Sequence, residues 1–334
     1  MAPALGFLGR IFGRRRIRPT PLIVDACLLF NEIDLLEIRL GELWDAVDRF
    51  VVVESDRTHA GNPKPFFFEA HASRFQPFAA KILYHKFRTD ESPGASGQAR
   101  TTTEARFELE VAQRDAIGTA ISQSGLRDDD IVVLCDVDEI PRSAALATLP
   151  ERLSRKAFSI FVLHNYRGYV NSLSDTALNG AAFLGPVACR WKTMQRIGAN
   201  KVRMGERRSA HVLEGRRRRW DYVEDGGWHL SSLGGAEAFW AKAQNFHHVE
   251  DPNRVVRVPE AAQPLQVFEG ALSREECART QAGYLAHGGD PRFSPLRFDE
   301  FRIEQDIPDY LRDHKERFRR FFFFTDVLAP GDAP

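Results

Sequence analysis

Three apolar runs of strand length constrain this sequence more than anything else in it. "PLIVDACLLF" (21–30), "FVVVES" (50–55) and "IVVLC" (131–135) have the character of strands covered on both faces, as in a parallel sheet. Between the first two, Leu36, Leu40, Leu43, Val47 and Phe50 recur at steps of three and four, which predicts a helical stripe and hence a βαβ opening. "KILYHKF" (81–87) reads as a third strand, about 104–123 as a helix, "RSAALATLPERL" as a short helix and "AFSIFVLHNYRGYVNS" as a strand or hairpin. Strands alternating with helices over the first 165 residues predict an α/β fold with a mostly parallel central sheet flanked by helices.

Composition removes several function classes. Lys plus Arg and Asp plus Glu both number 46, so no global basic field invites nucleic acid and no acidic excess invites disorder. The basic runs are local, at 14–16 and 216–219. Cys27, Cys135, Cys189 and Cys277 are widely spaced and form no CxxC pair, which argues against a disulfide or zinc framework and for a reducing compartment. No stretch reaches the roughly 18 apolar residues of a membrane span. Residues 1–20 form a basic, amphipathic-like segment able to lie on an anionic surface, and the expected location is cytoplasmic, with peripheral contact at the inner membrane face.

"DVDEIP" (136–141) follows the third apolar run at once. Ligands of open α/β sheets bind beyond the carboxyl ends of the strands. If the chain stays extended, Asp136 and Asp138 point to one face and Val137 to the other. Two such carboxylates suit Mg²⁺ or Mn²⁺ carrying substrate phosphates. Pro141 ends the strand. Glu139 should point the other way and brace an arginine.

Several stretches resemble one glycosyltransferase family, that of β-1,4-mannosyl-glycoprotein β-1,4-N-acetylglucosaminyltransferase. They are "DACLLFNEIDLLEIRLGELWDAVDRFVVVESDRTHAGNPKP", "QRDAI" (113–117), "DVDEIP", "GGWHLSS" (226–232) and, more weakly, "KAQNFHHVE" (242–250). The resemblance implies a GT-A-like nucleotide-sugar fold, a UDP-N-acetylglucosamine donor, a divalent cation (Mn²⁺ or Mg²⁺) and transfer with inversion to a glycan hydroxyl. It divides the chain into the basic segment 1–20, a glycosyltransferase domain at 21–260 and a helical extension at 261–334 packed on that domain. The donor half of the domain is 21–165 and the acceptor half 166–260. The family's Golgi members carry a membrane anchor and stem not seen here, which favours a surface-glycan precursor, lipid-linked included, over a glycoprotein as acceptor.

Roles can be assigned residue by residue. Asp136 and Asp138 are candidates for the cation, Asp136 also for the donor's ribose or diphosphate. His229, after two glycines, is the candidate third metal ligand. An inverting transfer needs a carboxylate to take the acceptor's proton; Asp225 is the choice, with Glu224 in reserve. Asn31, Glu54 and Ser55 stand at the ends of adjacent strands, where a uridine would lie. Arg114 and Lys242 are candidates for the diphosphate. Trp220 and Trp228 could stack on a sugar or be buried. The competing readings are a metal-dependent nucleotidyltransferase, which would want a glycine-rich loop that "CLLFNEID" lacks, and a non-catalytic sugar- or nucleotide-binding module.

Overall fold

The three apolar runs become the middle of one sheet. The computed structural model describes residues 20–58, 61–90, 103–170, 172–174, 182–206, 220–234, 238, 255–256, 265–266, 296–298 and 306–322. β1 (Ile23–Leu29) lies parallel to β2 (Arg49–Ser55) on one side and to β4 (Ile131–Asp136) on the other, with β3 (Ile82–Phe87) parallel beyond β2. This β3-β2-β1-β4 half is the parallel sheet expected of an α/β, GT-A-like fold.

The sheet continues with mixed polarity. β8 (Ala182–Arg190) runs antiparallel to β4, and β6 (Phe158–Arg167) antiparallel to β8. β9 (Trp220–Ser231) lies parallel to β6, and the short β5 (Glu139–Pro141) pairs antiparallel with β9. β7 (Ser172–Ser174) and a short strand Leu296–Phe298 extend the β6 side.

Alternation along the strands gives the sheet its two covered faces. Ile131, Val133 and Cys135 share a core with Leu36, Leu40 and Leu43, on the side of α1 (Ile33–Glu42). Val132 and Leu134 share the other core with Ile117, Ala120 and Ile121 of α3 (Thr103–Ser122). Each such Val, Leu or Ile is essentially dry and contributes about 1.5–3 kcal/mol. The predicted stripe outruns its helix: α1 ends at Glu42, and the turn at 43–46 delivers Val47 and Phe50 to the same core without helical geometry. The helix expected over 142–153 is two, α4 (Ser143–Ala147) and α5 (Leu149–Arg155), with Pro150 in the first turn of the second.

The end of the chain returns to α1. Ile307, Leu311, Phe318, Phe321 and Phe322 are buried, which accounts for the described part of the phenylalanine run. Tyr310 donates its backbone N–H to Glu42 and its hydroxyl to Glu37, which also pairs with Arg317 at 2.7 Å. Gly41 is required there, because a Cβ would fall 2.1 Å from the Tyr310 ring. Cys27, Cys135 and Cys189 are buried free thiols, and among the described residues no helix is long and apolar enough to cross a membrane. The segment 1–19, the basic run 216–219, most of the helix expected over 234–249, the helix expected near 273–288, and Cys277 lie outside the described residues.

Candidate active site

β4 carries Asp136 to its carboxyl end, and the chain does not stay extended beyond it. Val137 and Asp138 form a turn, Val137 drops into the core, and the chain resumes as β5. Pro141 is therefore the last residue of a paired strand, opposite Gly227, and Glu139 stands opposite His229. The two aspartates consequently part company, correcting the expectation of a single shared face.

Asp136 turns to arginines. Its Oδ1 lies 3.5 Å from Arg114 Nη2 and its Oδ2 accepts from Arg203 Nη2 at 3.1 Å. Arg203 is buried and also pairs with Glu139, so Glu139 does brace an arginine. Burial works against the Arg203 charge, but Glu139 and Asp136 outweigh it and hold its pKa above the usual value. The second oxygen of Glu139 accepts the Asp136 backbone N–H at 3.2 Å, tying the two ends of the turn together.

Asp138 turns to His229 instead. Its Oδ2 lies 3.7 Å from His229 Nε2, and the two side chains are only 9% and 11% exposed. That separation is too long for a hydrogen bond, and two metal–ligand bonds of about 2.1 Å reach across it. His229 is oriented from behind: its ring stacks on Phe183 with centroids 3.8 Å apart, and its Nδ1 meets Asn165 Oδ1 at 2.8 Å. The amide oxygen can only accept, so Nδ1 is the donor, and in the neutral ring Nε2 is left with the lone pair toward Asp138. A carboxylate and an imidazole so arranged fit a divalent cation.

The tight approach of β5 to β9 explains the paired glycines before His229. Gly227 has φ +145°, and a Cβ on it would fall 2.1 Å from the Ile140 carbonyl oxygen. Just upstream β9 bulges against β6, between the pairs Phe161–Val223 and Leu163–Gly227, and Asp225 sits in the bulge at φ +49°. Its Oδ1 accepts from Arg142 Nη2 at 2.8 Å and contacts His164 Nε2 at 3.0 Å. Arg142 also pairs with Asp306, which accepts from Tyr166. His164, Asp225 and Asp306 offer ligand atoms within 4.8 Å of one another; Arg142 donates to both carboxylates, so a guanidinium already offsets one of their two charges. Partial burial pushes the Asp225 pKa up, but the bonds to His164 and Arg142 outweigh it and hold it below the usual carboxylate value. Glu224 beside it is exposed.

The remaining candidates scatter in role. Glu54 is wholly buried and accepts from Lys64 Nζ, the backbone N–H groups of Phe67 and Phe68 and the Tyr84 hydroxyl. Those four donors make it a brace for the α2 (Phe67–Ala70) turn, correcting the uridine contact expected of it. Ser55 Oγ accepts from the Arg57 N–H at 3.1 Å, and Asn31 is exposed at the end of β1. Arg114 is buried and bonded to Glu110 and Asn200 as well as facing Asp136. Lys242 lies outside the described residues. Both tryptophans are buried: Trp220 stacks on Phe158, and Trp228 lies under Arg142 and donates to the Asp306 carbonyl.

Sequence reasoning missed Arg39, Arg142, His164, Asn165, Arg203 and Asp306. Only Arg39 left a local signal, an arginine three residues after Leu36 and four before Leu43 on an apolar stripe. The others meet side-chain partners more than sixty residues away.

Residues 8–167, just under half of the chain, match the model of Glycosyltransferase family 17, a span that holds the motifs up to "DVDEIP" but not "GGWHLSS" or "KAQNFHHVE". The similar curated proteins are β-1,4-mannosyl-glycoprotein 4-β-N-acetylglucosaminyltransferases. That of Rattus norvegicus is 34% identical over 127 residues, covering 36% of this chain and 21% of its own. That of Homo sapiens is 34% identical over 127 residues, covering 36% and 22%. The matched stretch is thus about a fifth of those relatives' length. Among solved structures, glucosyl-3-phosphoglycerate synthase from Mycobacterium tuberculosis in complex with Mn²⁺, UDP-glucose and glycerol 3-phosphate aligns with TM-score 0.34 and 14% identity, over 62% of this chain and 70% of that one.

Proposed function

We propose that this chain transfers N-acetylglucosamine from UDP-N-acetylglucosamine to a glycan hydroxyl, with inversion to a β linkage and with the help of a divalent cation. The sugar is the one named by the relatives that match over 127 residues of the chain. The single observation supporting a cation is the pairing of Asp138 with an imidazole whose Nε2 is aimed at it by Asn165.

Asp138 and His229 would hold the cation, Mn²⁺ or Mg²⁺, which when bound neutralises the charge that develops on the departing diphosphate. Asp136, poised between Arg114 and Arg203, serves the donor side, orienting ribose or diphosphate with Asn31 and Ser55 at the neighbouring strand ends. Asp225 takes the acceptor hydroxyl's proton, with Glu224 in reserve. A carboxylate is ionised at neutral pH with or without this shift, and the lowered pKa makes Asp225 a weaker base than an ordinary aspartate. Its case rests on its place in the bulge beside the cleft. The acceptor class to test first is a lipid-linked glycan, because the basic runs at 14–16 and 216–219 suit an anionic carrier at the inner membrane face of the cytoplasm.

The test is UDP release from a panel of UDP-sugars, with and without Mn²⁺ and with free or lipid-linked glycans. Turnover confined to UDP-N-acetylglucosamine and abolished by chelation supports the reading. Equal turnover of UDP-glucose, or none dependent on a cation, refutes the donor or the cation assignment respectively.

A further inference from the structure

Beneath the turn that carries Asp138 lies a buried ion pair that no step above uses. Asp25 interrupts the apolar run of β1 and is 1% exposed; Arg39 interrupts the apolar stripe of α1 and is fully buried. Arg39 Nε donates to Asp25 Oδ2 at 2.6 Å and Nη2 to Asp25 Oδ1 at 2.5 Å. Nη2 also reaches Cys135 Sγ at 2.6 Å, and Nη1 donates to the Glu139 carbonyl at 2.5 Å and contacts the Asp136 carbonyl at 3.4 Å. A guanidinium has five N–H donors in a planar fork; here three meet carboxylate or carbonyl oxygens closely, and the other two face Cys135 Sγ and the Asp136 carbonyl. Burial works against this charge, and Asp25 more than offsets it, so Arg39 stays protonated.

Filling a core with an ion pair is seldom the most stable choice; apolar residues of the same volume often do as well or better. The pair's distinctive property is what its remaining donors hold. The carbonyls of Asp136 and Glu139 flank the Val137–Asp138 turn on its two sides, and one nitrogen, Nη1, faces both. The same guanidinium is bonded to Asp25 of β1, a strand paired along both edges. The direction in which Asp138 leaves the turn is thereby tied to an interior strand of the sheet.

We infer that Arg39 is a positioning residue for the cation site: through the carbonyls of Asp136 and Glu139 it aims Asp138 at His229. It touches neither cation nor donor. The inference rests on the reading of Asp138 and His229 as cation ligands. Lysine cannot substitute, since a single ammonium cannot keep Asp25 and both carbonyls in one plane.

The experiment is Mn²⁺ binding to the full chain, followed by the paramagnetic resonance of free Mn²⁺, beside a thermal melt. Wild type, Arg39→Lys, the double variant Asp25→Leu/Arg39→Met and Asp138→Asn are compared. The double variant removes both charges and leaves neither buried alone, so it supplies a folded variant if Arg39→Lys does not fold. The expected result is one Mn²⁺ bound by wild type, none by Asp138→Asn, and affinity at least ten-fold weaker in folded Arg39→Lys or in the double variant. In Arg39→Lys, saturating Mn²⁺ should restore much of kcat. A lowered melting temperature with wild-type Mn²⁺ affinity would make Arg39 structural only and overturn the inference. Wild type that binds no Mn²⁺ would overturn the cation reading, and the Arg39 role with it.

Discussion

Asp138 Oδ2 and His229 Nε2 face each other at 3.7 Å because β5 and β9 pair with Glu139 directly opposite His229. The distance is thus a consequence of strand register, and the ring angle a consequence of Asn165. Removing the partner behind a ligating histidine typically weakens metal binding ~10–100-fold. Asn165→Leu should therefore weaken Mn²⁺ binding within that range while melting close to wild type. Calorimetric titration checks it, and unchanged affinity would disconnect Asn165 from the site.

The two aspartates of the turn should fail differently. Asp136 is flanked by Arg114 and Arg203, whereas Asp138 faces His229. Asp138→Asn should abolish Mn²⁺ binding. Asp136→Asn should leave it within a few-fold and raise KM for the donor about ten-fold or more, the loss of roughly 1.4 kcal/mol of binding. Steady-state kinetics at saturating Mn²⁺ separate the two, and identical phenotypes would mean that both are ligands.

Asp225 makes a pH prediction whose sign is settled by its neighbours. Its pKa is depressed, so its contribution to stability is full above the ordinary carboxylate range and disappears as pH falls through its own lowered value. The acid limb of kcat should lie below that of an ordinary carboxylate. Arg142→Met removes one of the two side chains whose bonds depress it and should move that limb to higher pH. An unmoved limb would take the proton-accepting role from Asp225.

Gly227→Ala should be severely destabilising. At φ +145° and with a Cβ 2.1 Å from the Ile140 carbonyl oxygen, the alanine must push β5 off β9. We expect about 2–3 kcal/mol or more, the size typical of strain at a special backbone position. Denaturant melts measure it directly, and metal affinity should fall with the register that brings Asp138 to His229.

Much of the donor-side fold was legible, since buried strands and helical stripes announce themselves by period alone. The three apolar runs became β1, β2 and β4, and the 104–123 segment became α3. The antiparallel half was less legible, because β6, β8 and β9 find one another across long connections that leave no periodic trace. Of the candidate site, Asp138 and His229 could be anticipated from a strand end and a glycine pair. Their separation from Asp136 could not, because the turn at Val137–Asp138 is stabilised by Arg39 and Arg203 from elsewhere in the chain. A cue did exist at Asp25 and Arg39: each is a charge on an otherwise apolar face, and two such misfits in adjacent elements satisfy each other.

Crystals soaked with Mn²⁺ and UDP, with data collected at the manganese edge, test the central claim most directly. The account predicts one anomalous peak bonded to both an Asp138 oxygen and His229 Nε2. A peak bound elsewhere, with Asp138 and His229 still facing each other across an empty gap, would contradict it.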